Sequence, residues 1–586
     1  MDRLWLNQYP AGVAHDVDPD RYNSVVDLLE ESFQKYGDQP FSVCMDVWMR
    51  YRDLEKLSTQ LGAWLQSLGL EPDARVAIML PNVPQFAVSM AAVLRAGYTC
   101  VNVNPLYTAR ELEHQLKDSG ASAIIVLENF AETLSQVITH TPVKHVCMAS
   151  MGDLLGFWYG RWISFAVRHL AKMVPAYELP LTGGRTVTSF KKALALGTHR
   201  KLHKPQLNPH SIAFLQYTGG TTGLSKGAIL SHRNIVAATL QADAWFTPAL
   251  AKIGDLRKVH SIAALPLYHI FALTLLLLAL RQGSSISLIP NPRDIPKFVE
   301  VLRKRPFHVL PAVNTLFNAL LQNAKFRALD FSTLCVSQAG GMAASEGTAR
   351  QWHKVTGSTM VEGWGMSETC AIGTNNPVTT DHFSGNIGLP LPGIDIAIKD
   401  DDGNSVPSGK AGEICIQGPN VMRGYYNQPE ETAKAFTADG FMRTGDIGLM
   451  DEQGFFKIID RKKDMILVSG FNVYPNELEN VISLCPGVVE CAAIGVPDAH
   501  SGEAIKVFVI KNDPTLTEDR LLRFCHDNLT GYKRPKYIEF REELPKTNVG
   551  KILRRELRPS TTLDTPATTP PPDAGQPQPA DTSLHP

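Results

Sequence analysis

The sequence predicts an α/β protein: a large N-terminal domain of α/β subdomains with a β-rich subdomain, then a small α+β C-terminal domain. Three observations carry that expectation. From about residue 22 to residue 160, and on to about 390, helical patterns alternate with short apolar runs, the texture of largely parallel sheets flanked by helices. Beyond 390, the runs 394–399 and 412–417, separated by a stretch that begins Asp400-Asp401-Asp402-Gly403, read as an antiparallel hairpin region. After Asp460 the pattern restarts in a compact unit of about a hundred residues. The expected divisions are 1–459, 460–559 and a tail at 560–586.

In chain order, the spacing predicts a helix over 54–68 and strands over 75–80 and 123–127. The segment 154–173 differs from its surroundings. On a helix, Leu155, Trp158, Trp162, Phe165, Ala166 and Met173 share a broad face edged by Arg161, Arg168 and Lys172. Aromatics beside snorkelling cations suit a membrane interface, and a helix packed on the protein's own core is the competing reading. The run 270–280, interrupted only by Thr274, is about half the ~20 residues that span a bilayer and reads as a buried helix. Strands are expected over 489–496 and 504–510, and a helix over 518–529 with Thr517 as its N-cap. The last 28 residues hold eight prolines and read as a disordered tail, too poor in apolar surface to offset chain ordering.

Composition narrows the function classes. The 586 residues exceed what one core ordinarily organises, and 44% hydrophobic content supplies sizeable cores. A formal net charge of −1 gives no reason to expect a nucleic-acid partner. Nine scattered cysteines without a Cys-x-x-Cys pair fit reduced thiols rather than a disulfide framework or a zinc site. The first residues lack the apolar core of a signal peptide, so the cytoplasm is the expected compartment, with peripheral contact at the inner face of the cell membrane if 154–173 binds lipid.

The densest chemistry lies between the short apolar runs at 214–215 and 228–230. Residues 217–228 hold four glycines (Gly219, Gly220, Gly223, Gly227), four Ser or Thr hydroxyls (Thr218, Thr221, Thr222, Ser225) and Lys226. Glycines let backbone N–H groups close on an anion, and the hydroxyls and lysine add donors and one positive charge, so this is a phosphate-gripping loop between two strands. The common nucleotide-hydrolase loop feeds a helix and follows Gly-Lys with Ser or Thr, whereas Lys226 lies between Ser225 and Gly227. A plain hairpin turn needs neither this density nor a lysine.

Residues 218–227 resemble the signature of the adenylate-forming superfamily, which includes acyl-CoA synthetases, peptide-synthetase adenylation domains and luciferases. Four further segments match it in the same order. They are Leu265-Pro266-Leu267-Tyr268-His269, the run 362–369, Arg443-Thr444-Gly445-Asp446 with Asp460-Arg461, and Asn548-Val549-Gly550-Lys551.

The resemblance implies that Thr218, Gly219, Gly220, Thr221, Thr222, Gly223, Ser225 and Lys226 grip the β- and γ-phosphates of ATP that leave as pyrophosphate. Glu368 would bind Mg²⁺ with Thr218 nearby, a carboxylate suiting a hard cation. Trp364 would lie flat on adenine where many relatives carry tyrosine, with Gly363 and Gly365 allowing close approach and Gly340, Gly341, Met366 and Ser367 completing the nucleotide pocket. Asp446 would accept from both ribose hydroxyls, assisted by Arg461.

Lys551 would bring a cation to the carboxylate and α-phosphate, although a bare reading makes it the start of a solvated charged helix face. His269 would sit beside the acyl carboxylate; a histidine next to an apolar run is otherwise a core residue. The same resemblance implies that the small domain is mobile, rotating about a hinge at Asp460 to present Ser469, Gly470 and Phe471 to a CoA channel.

The stretch 439–463 is further similar to the long-chain fatty acyl-CoA synthetase signature, and 103–107, 216–220, 265–271 and 469–477 resemble bacterial long-chain fatty-acid CoA ligases. Met442-Arg443 stands where those relatives often have Leu-His. The expected reaction joins a fatty acid to CoA through an acyl-adenylate, with ATP and CoA as co-substrates. Medium-chain acids, a carrier-protein acyl acceptor and a non-catalytic acyl or nucleotide sensor stay open at this stage, as does the oligomeric state, a homodimer included.

Overall fold

A computed structural model describes residues 3–218, 225–469, 471–498, 500–547 and 550–558. The expectations for Gly219, Gly220, Thr221, Thr222, Gly223, Gly470, Asn548, Val549 and the proline-rich tail therefore lie outside the described residues.

Two large sheets form the N-terminal part. The first runs, edge to edge, Thr186–Ser189, His145–Ala149, Ala123–Leu127, Arg75–Met79, Thr99–Asn102, Ile212–Thr218 and Lys226–Ser231. All neighbours are parallel except the last pair. The inner strands are continuous apolar runs because helices cover both faces, and every residue of Ala123–Leu127 is buried.

The second sheet has nine strands, parallel from Pro40–Cys44 through Ser285–Leu288, His260–Ala263, Val309–Ala312 and Val336–Ala339 to Met360–Trp364. The helix Ile270–Gln282 lies against it, buried along almost its whole length. Its limits are local chemistry: His269 caps the N-terminus through Nδ1, and Gly283 ends it in the left-handed region with φ 70°.

The hairpin expected after residue 390 forms as Asp395–Lys399 against Gly412–Gln417 and is completed by Met442–Met450 and Phe456–Arg461, all antiparallel. Alternation along Met442–Met450 turns Met442, Thr444, Asp446 and Gly448 to the buried face. Asp446 is thereby paired across the sheet with Arg461.

A separate core, including Ile466, Val473, Leu478, Ile482, Val507 and Leu521, organises the C-terminal unit around the strands Val488–Asp498 and Gly502–Lys511. Its helix Glu518–Asn528 is capped by Thr517, as the sequence predicts. The loop carrying Lys551 folds back on itself through Thr547 N to Lys551 O at 2.7 Å and Lys551 N to Thr547 Oγ1 at 3.0 Å. That loop docks on the large domain. A Cβ at Gly550 would fall 2.6 Å from Thr315 Oγ1.

The segment 154–173 departs from the expected single helix. Phe157–Phe165 is α-helical, and Ala166–Leu170 widens into a π turn. Leu155 leaves the expected apolar face and is tucked into the core at 2% exposure. The aromatic face itself is bare, with Trp158 80%, Phe157 65% and Trp162 56% exposed.

Candidate active site

The antiparallel pair Ile212–Thr218 and Lys226–Ser231 sets Thr218 opposite Lys226, so a hydroxyl and an ammonium stand at the two ends of the connecting segment. The turn Ser367–Thr369, which carries Glu368, packs on these strands. Glu368 is buried, Tyr425 donates its phenol to Oε1 at 2.9 Å, and burial raises the carboxyl above its usual range. Lys226 pairs with Glu431 and lies 5.1 Å from the centroid of the Tyr425 ring. Contact with Lys226, and then Lys434, holds the Glu431 carboxyl down at about 2.

Tyr425 and Glu431 carry no sequence signal. They arrive because Ala228 bridges Tyr425 and the N–H of Tyr426 donates to Gly227 O, laying 423–426 along the strand Lys226–Ser231, after which the helix Pro429–Ala435 carries Glu431 to Lys226.

Beside this end lies a pocket formed by Gly340, Gly341, Gly363, Trp364, Gly365 and Met366. Trp364 donates its indole N–H to Asp446 Oδ2 at 2.8 Å, while Arg461 Nε lies 2.9 Å from Oδ1. Each carboxylate oxygen thus has one fixed partner and a lone pair to spare. The glycines have an internal reason: a Cβ at Gly363 would meet Asn375 Oδ1 at 2.3 Å, and one at Gly365 would meet Ala371 O at 2.2 Å. Gln338 and Asn375, absent from the sequence expectations, also line the pocket; Gln338 Nε2 donates to Asn375 Oδ1 at 2.7 Å. Gln338 Oε1 has no protein partner.

Lys551 enters from the C-terminal unit, within electrostatic reach of Asp446, Arg461, Lys463 and Arg554. Burial, reinforced by the guanidinium of Arg461, pushes its ammonium down to about 8. His269 is half-buried and pushed down to about 4, first by desolvation and then by the Lys551 charge, so it is neutral at physiological pH. Phe271 N donates to its Nδ1 at 3.4 Å, which leaves Nε2–H as the donor.

The same pocket continues past His269 between the helices His232–Leu250 and Ile270–Gln282 and the second sheet. Phe246, Leu250, Leu275 and Leu278 contribute to an apolar lining that opens at Gly340 and Gly363 into the Trp364 pocket.

Asp460 precedes Arg461 on the same strand, so the two side chains point to opposite faces. Asp460 is fully buried, accepts from Asn476 N at 2.8 Å in the C-terminal unit, and is raised to about 6 by burial. Ser469 and Phe471 are tied within that unit: Ser469 N donates to Ser501 O at 2.8 Å, and Phe471 stacks on Tyr532 with ring centroids 4.7 Å apart. The cleft thus gathers Thr218, Lys226, His269, Glu368, Trp364, Asp446, Arg461 and Lys551 from both units.

A glycine-walled pocket at Trp364 that continues into an apolar cavity, with the Lys551 cation within electrostatic reach of His269 and Asp446, suits an enzyme that activates carboxylic acids with a nucleotide. The chain belongs to the AMP-binding enzyme family, whose model matches residues 29–426, and the model of that family's C-terminal domain matches 477–551. It is 51% identical over 560 residues, 95% of this chain and 98% of the other, to a long-chain-fatty-acid–CoA ligase of Escherichia coli O6:H1. It is 35% identical over 94% of this chain to the Bacillus subtilis enzyme of the same name, covering 97% of that protein. Among solved structures, ATP-bound MatB from Rhodopseudomonas palustris superimposes with a TM-score of 0.75 at 28% identity, covering 91% of this chain and 98% of that one.

The Trp364 to Asp446 hydrogen bond gives a direct expectation. Trp364→Phe keeps a ring face and removes the N–H, a bond to a charged acceptor worth about 1.5 kcal/mol or more, so the dissociation constant for AMP should rise about tenfold by calorimetry. An unchanged constant would remove Asp446 positioning from the site's account.

Proposed function

We propose that the chain is an AMP-forming long-chain-fatty-acid–CoA ligase. The observation that carries this reading is the apolar cavity whose mouth meets the Trp364 pocket beside Lys551 and His269. The relatives named long-chain-fatty-acid–CoA ligase, 48–51% identical over 95% of the chain, support it.

In the first half-reaction a carboxylate oxygen attacks the α-phosphorus of ATP, the bond to the β-phosphate breaks, and pyrophosphate leaves. Two anions must meet, and the Lys551 ammonium lowers their repulsion as charge builds in the transition state. Asp446, steadied by Arg461 and Trp364, takes the ribose hydroxyls, and the Trp364 face takes adenine. Thr218, Ser225 and Lys226, with the loop 219–223, hold the departing phosphates, so Lys226 exchanges its Glu431 partner for the nucleotide. Neutral His269 offers Nε2–H to the acyl carboxylate.

Magnesium would be held by Glu368 with Thr218. The buried carboxyl of Glu368, destabilised as an anion by burial, fits a cation. Among the described residues no group of three or more His, Cys, Asp or Glu side chains is arranged to hold a metal, so the nucleotide's phosphate oxygens would supply further ligands. When bound, the ion neutralises charge on the leaving phosphates.

In the second half-reaction the CoA sulfur attacks the acyl carbonyl and AMP leaves, with the thiol proton released. We assign Asp460 as the hinge about which the C-terminal unit withdraws Lys551 and presents Ser469, Gly470 and Phe471 to the pantetheine. The domain division at 459/460 follows from that assignment.

Incubation with ATP, CoA, Mg²⁺ and hexadecanoic acid should yield hexadecanoyl-CoA, AMP and pyrophosphate by mass spectrometry; ADP, or no acyl-CoA from any fatty acid, contradicts the reading. Lys551 is cationic below its pKa of about 8 in the free enzyme. Adenylation kcat/KM for ATP should therefore fall as pH rises through about 8, and a profile flat to about pH 9.5 would count against the charge's role.

We further infer peripheral membrane contact through 154–173. Among the described residues no helix is long and apolar enough to cross a membrane, but Phe157, Trp158 and Trp162 stand exposed beside Arg161. Co-flotation with anionic liposomes should weaken in the Trp158→Ser, Trp162→Ser double variant; equal flotation sinks this contact.

A further inference from the structure

The acyl cavity changes character along its length. One face of the helix Ile270–Gln282 runs its full extent, presenting Ile270, Thr274, Leu278 and Gln282 at four-residue intervals. At about 1.5 Å per residue, the path from Ile270 to Gln282 is about 18 Å. An extended chain advances roughly 1.2 Å per covalent bond, because three backbone bonds make up each ~3.3–3.6 Å residue. The helix face is therefore about fifteen bonds long, which matches a straight acid of about sixteen carbons with its carboxylate at His269.

The far end brings the polar groups Ser261, Gln282 and Ser284 into the lining beside Val259 and Ala279. Gln282 does not hang free there. Its Nε2 donates to Asp243 Oδ1 at 3.0 Å and to Thr247 Oγ1 at 3.4 Å, and it is almost fully buried. Asp243 is held in turn by Arg281, whose Nε is 3.4 Å from Oδ2. Asp243, Thr247 and Arg281 line a second cavity, which the exposed residues Gly12, Asp18 and Arg21 border at the surface. One clamped amide side chain thus stands between the acyl cavity and a surface cavity edged by the charges of Asp18, Arg21, Asp243 and Arg281.

We propose that Gln282, clamped by Asp243 and Thr247, is the chain-length stop of the acyl site. The proposal rests on the ligase reading above and extends it to which acids are preferred. Each methylene up to the stop gains apolar contact, about fourfold in binding per buried CH₂. A methylene beyond it must displace hydrogen-bonded polar groups and gains nothing. Acids should improve up to about sixteen to eighteen carbons and decline after that.

The test is kcat/KM for saturated acids from eight to twenty-two carbons in the wild type, Gln282→Ala and Leu278→Trp. Leu278 lies about 12 Å along the helix from Ile270, so a tryptophan there should move the optimum down to about ten to twelve carbons. Gln282→Ala opens the stop into the second cavity and should raise the ratio of twenty-carbon to sixteen-carbon activity about tenfold, leaving the twelve-carbon acid within about twofold.

If Leu278→Trp shortens the range while Gln282→Ala leaves that ratio unchanged, or raises all lengths equally, the stop is refuted and the ligase reading stands. If Leu278→Trp leaves the whole profile unaltered, the cavity is not the acyl site. Should Gln282→Ala lose the twelve-carbon acid as well, Asp243→Ala, which unclamps the amide from outside the cavity lining, carries the same expectation and the same refutation.

Discussion

A half-buried lysine ammonium set near three other cations is the constraint around which this molecule is organised. Lys551 has Arg461, Lys463 and Arg554 within electrostatic reach and Asp446 as the nearby carboxylate. Arg461 is paired with Asp446 and Arg554 with Glu479, yet burial and the remaining like charge still act against the protonated form of Lys551 until a further anion joins it. The closed docking of the C-terminal loop on Val313 and Thr315 is what keeps Lys551 in this position. On the proposed reading, nucleotide phosphates and an acyl carboxylate bring the missing negative charge, and loss of pyrophosphate removes part of it. The electrostatics then favour closure before adenylation and ease withdrawal after it.

The apolar cavity gives the same cleft its second function. Binding energy from a fatty tail is nearly independent of orientation, so polar groups concentrate at the cavity's two ends. His269 illustrates the economy. It caps the helix Ile270–Gln282, lines the cavity and stays neutral beside Lys551, so one side chain joins fold, tunnel and reaction centre. The rigid helix that follows sets where the tunnel begins and ends.

Local chemistry was legible in the sequence, and partnership across the fold was not. Strand alternation and turn residues give the hairpin after residue 390, and Thr517 as an N-cap fixes a helix start, because both are nearest-neighbour effects. The motif residues Thr218, Lys226, Glu368, Asp446, Arg461 and Lys551 could be named before any fold was known. The bond from Trp364 to Asp446 joins positions 82 apart, and the pairing of Lys226 with Glu431 joins positions 205 apart. No periodicity encodes such contacts. Leu155 shows the converse limit: helical spacing assigns it to the exposed aromatic face, but the chain enters that helix only at Phe157, and Leu155 turns into the core.

The account stands or falls on Lys551 acting in one half-reaction and not the other. The direct measurement is single-turnover kinetics of Lys551→Ala in two arms, one following acyl-adenylate from acid and ATP, the other following acyl-CoA from supplied acyl-adenylate and CoA. Removal of a preorganised charge should slow the first arm by about 10²-fold or more and leave the second near the wild-type rate. Equal slowing of both arms would contradict the claim that this half-buried cation serves the adenylation transition state.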